Sequence, residues 1–231
     1  MRAGPGLLRM RRPQSPSPRP HGSAGGRRTP AALLLAFLRP GLLFMLAGAA
    51  AAVANAFAGR EWLHWLALHL VFLGGISQLV LGAGQYFAGA FLATDPPPRR
   101  LVRAQLATWS TGTVLVATGV PTAIPGLYEA GVALIVAGLV LFALGLHDMK
   151  RRSLQRAPWA LRWYQASAAF LGAGALLGVL LAHGTSWSYG SLIGAHLALN
   201  LAGWLGTAII GTLHTFFPSL TQTQLRYARL Q

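Results

Sequence analysis

From Trp163 to Leu225 the chain runs for 63 residues without a single Asp, Glu, Lys or Arg. A soluble domain, with about a quarter of its residues charged, does not leave such a gap. Apolar runs of about 20 residues are the length that crosses a bilayer's hydrocarbon core as helix. Two more runs are nearly as clean: Ala104–His147 is interrupted only by Glu129, and Pro40–Thr94 only by Arg60 and Glu61. The chain therefore reads as an all-α, multi-pass membrane protein, and a soluble enzyme or DNA-binding domain is excluded. The imbalance of 19 basic against 4 acidic residues would elsewhere suggest a nucleic-acid partner. Here the bases gather in short segments between apolar runs, so no nucleic acid is implied. With no Cys the chain forms no disulfide, Fe–S cluster, thiolate-ligated haem or covalent c-type haem.

Residues 1–30 are compositionally separate, rich in Pro, Ser and Gly with seven Arg, and read as a disordered basic tail. His21 lies in it and carries no expectation. Six transmembrane helices are expected within 31–220: about Pro40–Ala58, Trp62–Leu92, Leu101–Val120, Gly126–Leu146, Trp163–Ala182 and Gly190–Phe217. Ala31–Leu38 either lies at the interface or lengthens the first. Pro121 and Pro125 are expected to end the third span, and Pro218 to stop the sixth. A short C-terminal tail, 221–231, completes the chain. A cleaved signal peptide with a small-residue site near Ala54-Asn55-Ala56 is the rival reading of the start.

The connecting segments alternate in charge. The N-terminal tail, the second loop (Arg99, Arg100, Arg103), the fourth loop (Lys150, Arg151, Arg152, Arg156, Arg162) and the C-terminus (Arg226, Arg229) are basic; the others are neutral or nearly so. By the positive-inside rule both termini are expected in the cytoplasm. Trp62, Trp65, Tyr128, Trp187 and Tyr189 would mark the outer interface, and Trp159, Trp163, Tyr164 and Tyr227 the inner one. One Lys among 19 basic residues, with abundant Ala, Gly, Leu and Arg, points to a GC-rich bacterial genome and hence to a bacterial inner membrane.

Histidine inside a span is costly unless it is paired or ligating. On the expected topology His64 and His183 sit at the outer surface, and His147 and His214 near the inner one. His69 and His196 come from distant parts of the chain yet lie at one depth, each about 10 Å in at 1.5 Å per residue. Two neutral imidazoles so placed suit axial ligation of a haem held between helices. A plain interhelical hydrogen-bonding role, another metal, or a proton relay suits them as well. Gly74, Gly75, Gly82 and Gly84 after His69, and Gly203, Gly206 and Gly211 after His196, would let a helix or a flat macrocycle approach the backbone. His196, Asn200, Gly203, Thr207, Gly211 and His214 form one small, polar helix face that should turn inward. The third span is the least apolar, with Gln105, Thr108, Ser110, Thr111 and Thr113, and reads as packing rather than an ion path. Glu129 is expected in solvent. No span carries the paired carboxylates of a proton-driven transporter, and no Walker, hydrolase or zincin motif occurs.

Two segments resemble a known family. One is Ala67-Leu-His69-Leu-Val-Phe-Leu-Gly-Gly, continuing to Leu92. The other is Ala195-His196-Leu-Ala-Leu-Asn200-Leu-Ala-Gly203-Trp204-Leu-Gly206, continuing to Pro218. They are similar to actinobacterial copper-oxidase-associated membrane domains, in which "HL-x-x-LG" precedes "H-x-x-x-N-x-x-GW-x-G". More distantly they resemble haem-copper oxidase subunit I and the nitric-oxide-response haem-copper membrane proteins. The resemblance implies His69 and His196 as ligands of haem b, copper as a further cofactor, and a separate redox partner protein. It departs from the oxidases in having half the helices and too few outer histidines for a binuclear centre. The implied role is electron transfer or redox sensing in copper or nitrogen-oxide metabolism. The alternative is a non-redox membrane protein, a small transporter or assembly subunit with structural histidines.

Overall fold

The computed structural model describes residues 30–154, 159–185 and 189–221. The expected N-terminal tail (all but Pro30), nearly all of the C-terminal tail, and Trp187 and Tyr227 lie outside them. Among the described residues regular structure is entirely helical. Six helices form three hairpins: α1 (Pro30–Ala58) with α2 (Glu61–Leu92), α3 (Arg99–Gly119) with α4 (Pro125–Arg152), and α5 (Trp159–Ala182) with α6 (189–221). Five are long and apolar enough to cross a membrane; α3 is the exception. The chain is thus a helical membrane protein with five candidate spans.

Several boundaries differ from expectation. α1 is continuous from Pro30, with Pro40 inside it, so of the two alternatives Ala31–Leu38 lengthens the first helix. α4 and α5 extend to Arg152 and from Trp159, because amphipathic ends continue a helix beyond its apolar part. Pro125 opens α4 at its first turn, where a missing N–H costs nothing. Pro218 does not stop α6, which continues to Thr221.

α2 is the hub and touches the other five helices. It is not uniformly α: Leu70–Ile76 is a π segment. α6 repeats this with a π segment at Leu199–Gly206. Glycines explain how the hairpins close. In α1–α2, Phe37 sits over Gly82 and Phe44 over Gly74, where an added Cβ would meet those side chains at 2.7 and 2.6 Å. In α5–α6, Trp163 sits over Gly211 and Phe170 over Gly203. In α3–α4, Trp109 sits over Gly138 and Val116 over Gly131.

The large residues are seven apart in every hairpin. The facing glycines are seven apart in α4 but eight apart in α2 and α6. A π turn carries an extra residue, so the eight-residue spacing keeps the same contact register as seven. Both π segments begin four residues before the first glycine of the pair. The first and third hairpins therefore share one pattern of closure, a π segment with glycines eight apart, which the second lacks.

A π segment misaligns backbone carbonyls, and inside a membrane each must find a donor. The Trp109 indole N–H donates to Leu73 O at 3.0 Å, the Ser77 hydroxyl to Phe72 O at 2.9 Å, and the Ser167 hydroxyl to Trp204 O at 2.6 Å. The Trp204 indole in turn donates to Ser77 Oγ at 2.9 Å. Both indoles are buried and tie the π segments to their neighbours.

The ends of the bundle differ in charge. At one end Arg152 reaches Pro96 O and Ser153 donates to Leu92 O, which gathers the α2–α3 loop and the end of α4 with their Arg and Lys residues. At the other end His183 meets Glu129 at 2.8 Å and Tyr128 at 3.2 Å. Glu129, expected in solvent, is exposed there and also lies in an ion-pairing position with His183. Tyr128 and Tyr164, expected at the interfaces, are buried. Tyr128 meets His183, and Tyr164 bonds Thr212 at 2.8 Å. The Tyr164 hydroxyl finds its partner on α6, and the Tyr128 hydroxyl finds His183 at the end of the bundle.

Candidate functional site

His69 ends the α part of α2, and His196 lies three residues before the π segment of α6. Their ring centres are 6.4 Å apart and their planes 27° from parallel. The other described histidines do not join them. His183 pairs with Glu129, His214 packs against Trp163 at 5.9 Å, and His64 and His147 are exposed.

Each ring of the pair is oriented by a backbone carbonyl. His69 Nδ1 lies 2.8 Å from Trp65 O, one turn earlier on its own helix. His196 Nδ1 lies 2.8 Å from Gly174 O across the α5–α6 interface. A carbonyl only accepts, so both Nδ1 atoms carry the hydrogen and both Nε2 atoms keep their lone pairs. This carbonyl anchoring is how proteins hold a ligating imidazole. The Trp65 ring stacks on His69 with centres 3.9 Å apart. Gly178 leaves room for the His196 ring, whose Cε1 an added Cβ would approach to 3.1 Å. Asn200 donates to the His196 carbonyl at 2.6 Å and packs against Gly174.

Among the described residues no group of three or more His, Asp or Glu is placed to hold a metal ion. A bare zinc or copper ion takes three or four protein ligands. A haem iron takes only two axial ones, the macrocycle supplying the rest. The donor set, two imidazoles on neighbouring helices, is therefore too small for an isolated ion and matches in number the two axial ligands of a haem.

The glycines near the pair have a narrower role than the sequence allowed. Gly74, Gly75 and Gly82 receive Phe44, Met45 and Phe37 of α1; Gly203 and Gly211 receive Phe170 and Trp163 of α5. They admit helices. The polar stripe of α6 faces α5, through His196 on Gly178, Asn200 on Gly174, and His214 beside Trp163.

Other residues of the site were not legible in the sequence. Trp65 and Gly174, which orient the pair, carry no chemical signal of their own. Trp109 and Trp204 lie mid-span, away from the interfaces where Trp gathers, and that position was the available clue. No family model, curated protein or solved structure matches this chain.

Proposed function

We propose that this is a six-span inner-membrane protein that holds one haem b between α2 and α6 through His69 and His196. The observation that carries the reading is the pair itself: two imidazoles, each anchored at Nδ1 by a carbonyl, with both Nε2 lone pairs uncommitted. Haem so bound would exchange single electrons, which suits electron transfer or redox sensing. Copper or nitrogen-oxide metabolism is the context that the family resemblance suggests. Trp65 would stack beside one axial ring and Gly174 fix the other.

The sixth span is α3. At 21 residues it is about 31 Å long, matching the hydrocarbon core. Of its polar groups, Gln105 and Thr113 are inward and Thr108 and Thr118 bond the preceding turn, which leaves Thr111 as the exposed one in its middle. The basic end of the bundle faces the cytoplasm in this reading, and both termini lie there.

Absorption spectra of protein purified in mild detergent from haem-replete cells test it. A Soret band that shifts on reduction, and disappears in His69→Ala and in His196→Ala, is expected. A colourless, normally helical protein would leave the non-redox reading, in which the histidines merely tie helices together.

A further inference from the structure

Away from the histidines, the seam between α2 and α3 holds a second polar feature. Gln78, Gln85, Gln105 and Thr113 are each no more than 1% exposed. Gln85 donates to Gln105 Oε1 at 3.1 Å and to Leu81 O at 3.0 Å, and Gln78 donates to Ser110 Oγ at 3.2 Å. Four atoms remain without a partner among the described residues: Gln78 Oε1, Gln85 Oε1, Gln105 Nε2 and Thr113 Oγ1. Each buried orphan costs about 1–3 kcal/mol, so four in one seam are not a tolerable packing remainder.

Gln85 also lines a cavity of about 590 Å³ at the basic end of the bundle, together with Tyr86, Ala90, Thr94, Asp95 and Arg152. Arg152 pairs with Asp148 at 2.9 Å, whereas Asp95 is exposed and forms no ion pair with a described residue. The cavity is polar and roomy enough for a cluster of waters, each needing about 30 Å³.

We propose that the α2–α3 seam is a water-filled passage, entered through the Gln85 cavity and reaching Thr113 inside the bundle. The orphans include an amide donor, two amide acceptors and a hydroxyl, and water serves all of them by donating and accepting. From Gln105 to Thr113 is about 12 Å along α3, which about four waters at hydrogen-bond spacing cover. Toward His69 the polar groups are already paired, the Trp109 indole with Leu73 O and the Trp204 indole with Ser77 Oγ. The passage therefore brings water, and protons carried on it, from the Asp95 end into the bundle and stops at that level. It does not depend on haem.

The chain has no Cys, so single cysteines report without background. Silver ion, which is small and reacts with thiolate in water, is the probe, with later alkylation in denaturant as readout. Thr113→Cys should react at least 10-fold faster than Ile135→Cys, a buried α4 position beside Gly112. Adding Ala90→Trp, at an exposed cavity-lining residue, should slow Thr113→Cys at least 10-fold by plugging the entrance. Melting curves establish that each variant folds. Equal, slow reaction of Thr113→Cys and Ile135→Cys overturns the passage. A fast Thr113→Cys reaction that Ala90→Trp leaves unchanged overturns the proposed entrance.

Discussion

The α1–α2 and α5–α6 hairpins each spend one extra residue on a π segment; the α3–α4 hairpin does not. All three close by the same means, a large residue on the first helix seated over a glycine on the second. Only the hairpins with a π segment bring a histidine to the centre. An extra residue rotates the part of a helix before it by roughly 100° relative to the part beyond it. In α2 and α6 that rotation turns His69 and His196 toward one another while Gly82 and Gly211 keep facing α1 and α5. The regular hairpin keeps one face throughout and contributes packing and the polar seam.

The regular hairpin brings backbone against backbone, and its closest contact is the place to test the difference. There Gly112 and Gly131 touch backbone to backbone: an added Cβ on Gly131 would meet Gly112 O and Val116 N, each at 2.8 Å. Gly131→Val therefore has backbone rather than a movable side chain in its way and should cost about 3 kcal/mol or more, abolishing recovery of folded protein in detergent. Gly82→Ala in the π-bearing hairpin meets Phe37 at its Cβ and Cγ; as the smaller substitution, with no backbone atom among its nearest contacts, it should cost less, about 1–3 kcal/mol. A melting series that reverses this order would show that the two kinds of hairpin do not close as described.

Deleting Leu201 probes the extra residue itself. It should convert the α6 segment to ordinary α-helix, retain helicity by circular dichroism, and turn His196 away from His69. The haem spectrum should then be lost as fully as in His196→Ala. A deletion protein with an unchanged spectrum would separate the π segment from the pair.

Smaller effects are expected from the donors that satisfy the π carbonyls. Trp109→Phe removes the N–H that reaches Leu73 O, and Ser167→Ala removes the hydroxyl that reaches Trp204 O. Each should lower stability by about 1 kcal/mol, seen as a lower melting temperature. Thr118→Ala, which loses only a bond to its own helix at Val114 O, should change it by less than about 0.5 kcal/mol. Equal losses in all three would mean that the π carbonyls need no special donor.

Membrane insertion and an all-helical chain were legible because charge is excluded from long runs, and that pattern survives any arrangement of the helices. The candidate pair was legible too, since His is rare in spans and depth is set by counting residues. The features that the sequence concealed are equally specific. Tyr128 and Tyr164 read as interface anchors, and the sequence does not show that their rings are buried against other helices with hydroxyls on His183 and Thr212. Pro218 reads as a stop, yet α6 runs past it. Gln78 and Gln85 pass as scattered polar residues in an apolar run until α3 places Ser110 and Gln105 against them.

The sequence by itself determined which segments are apolar, where the basic charge collects, and that His69 and His196 fall at similar depth. These are one-dimensional properties, set by residue type and by a rise of about 1.5 Å per residue. Only the tertiary structure decided which way each helix face turns. Facing depends on the local number of residues per turn, and the two π segments change that number between the glycines that fix the helices and the histidines that meet between them. The likeness of α1–α2 to α5–α6 is hidden for the same reason: it lies in the spacing of facing residues and in a π segment, not in the identity of most residues.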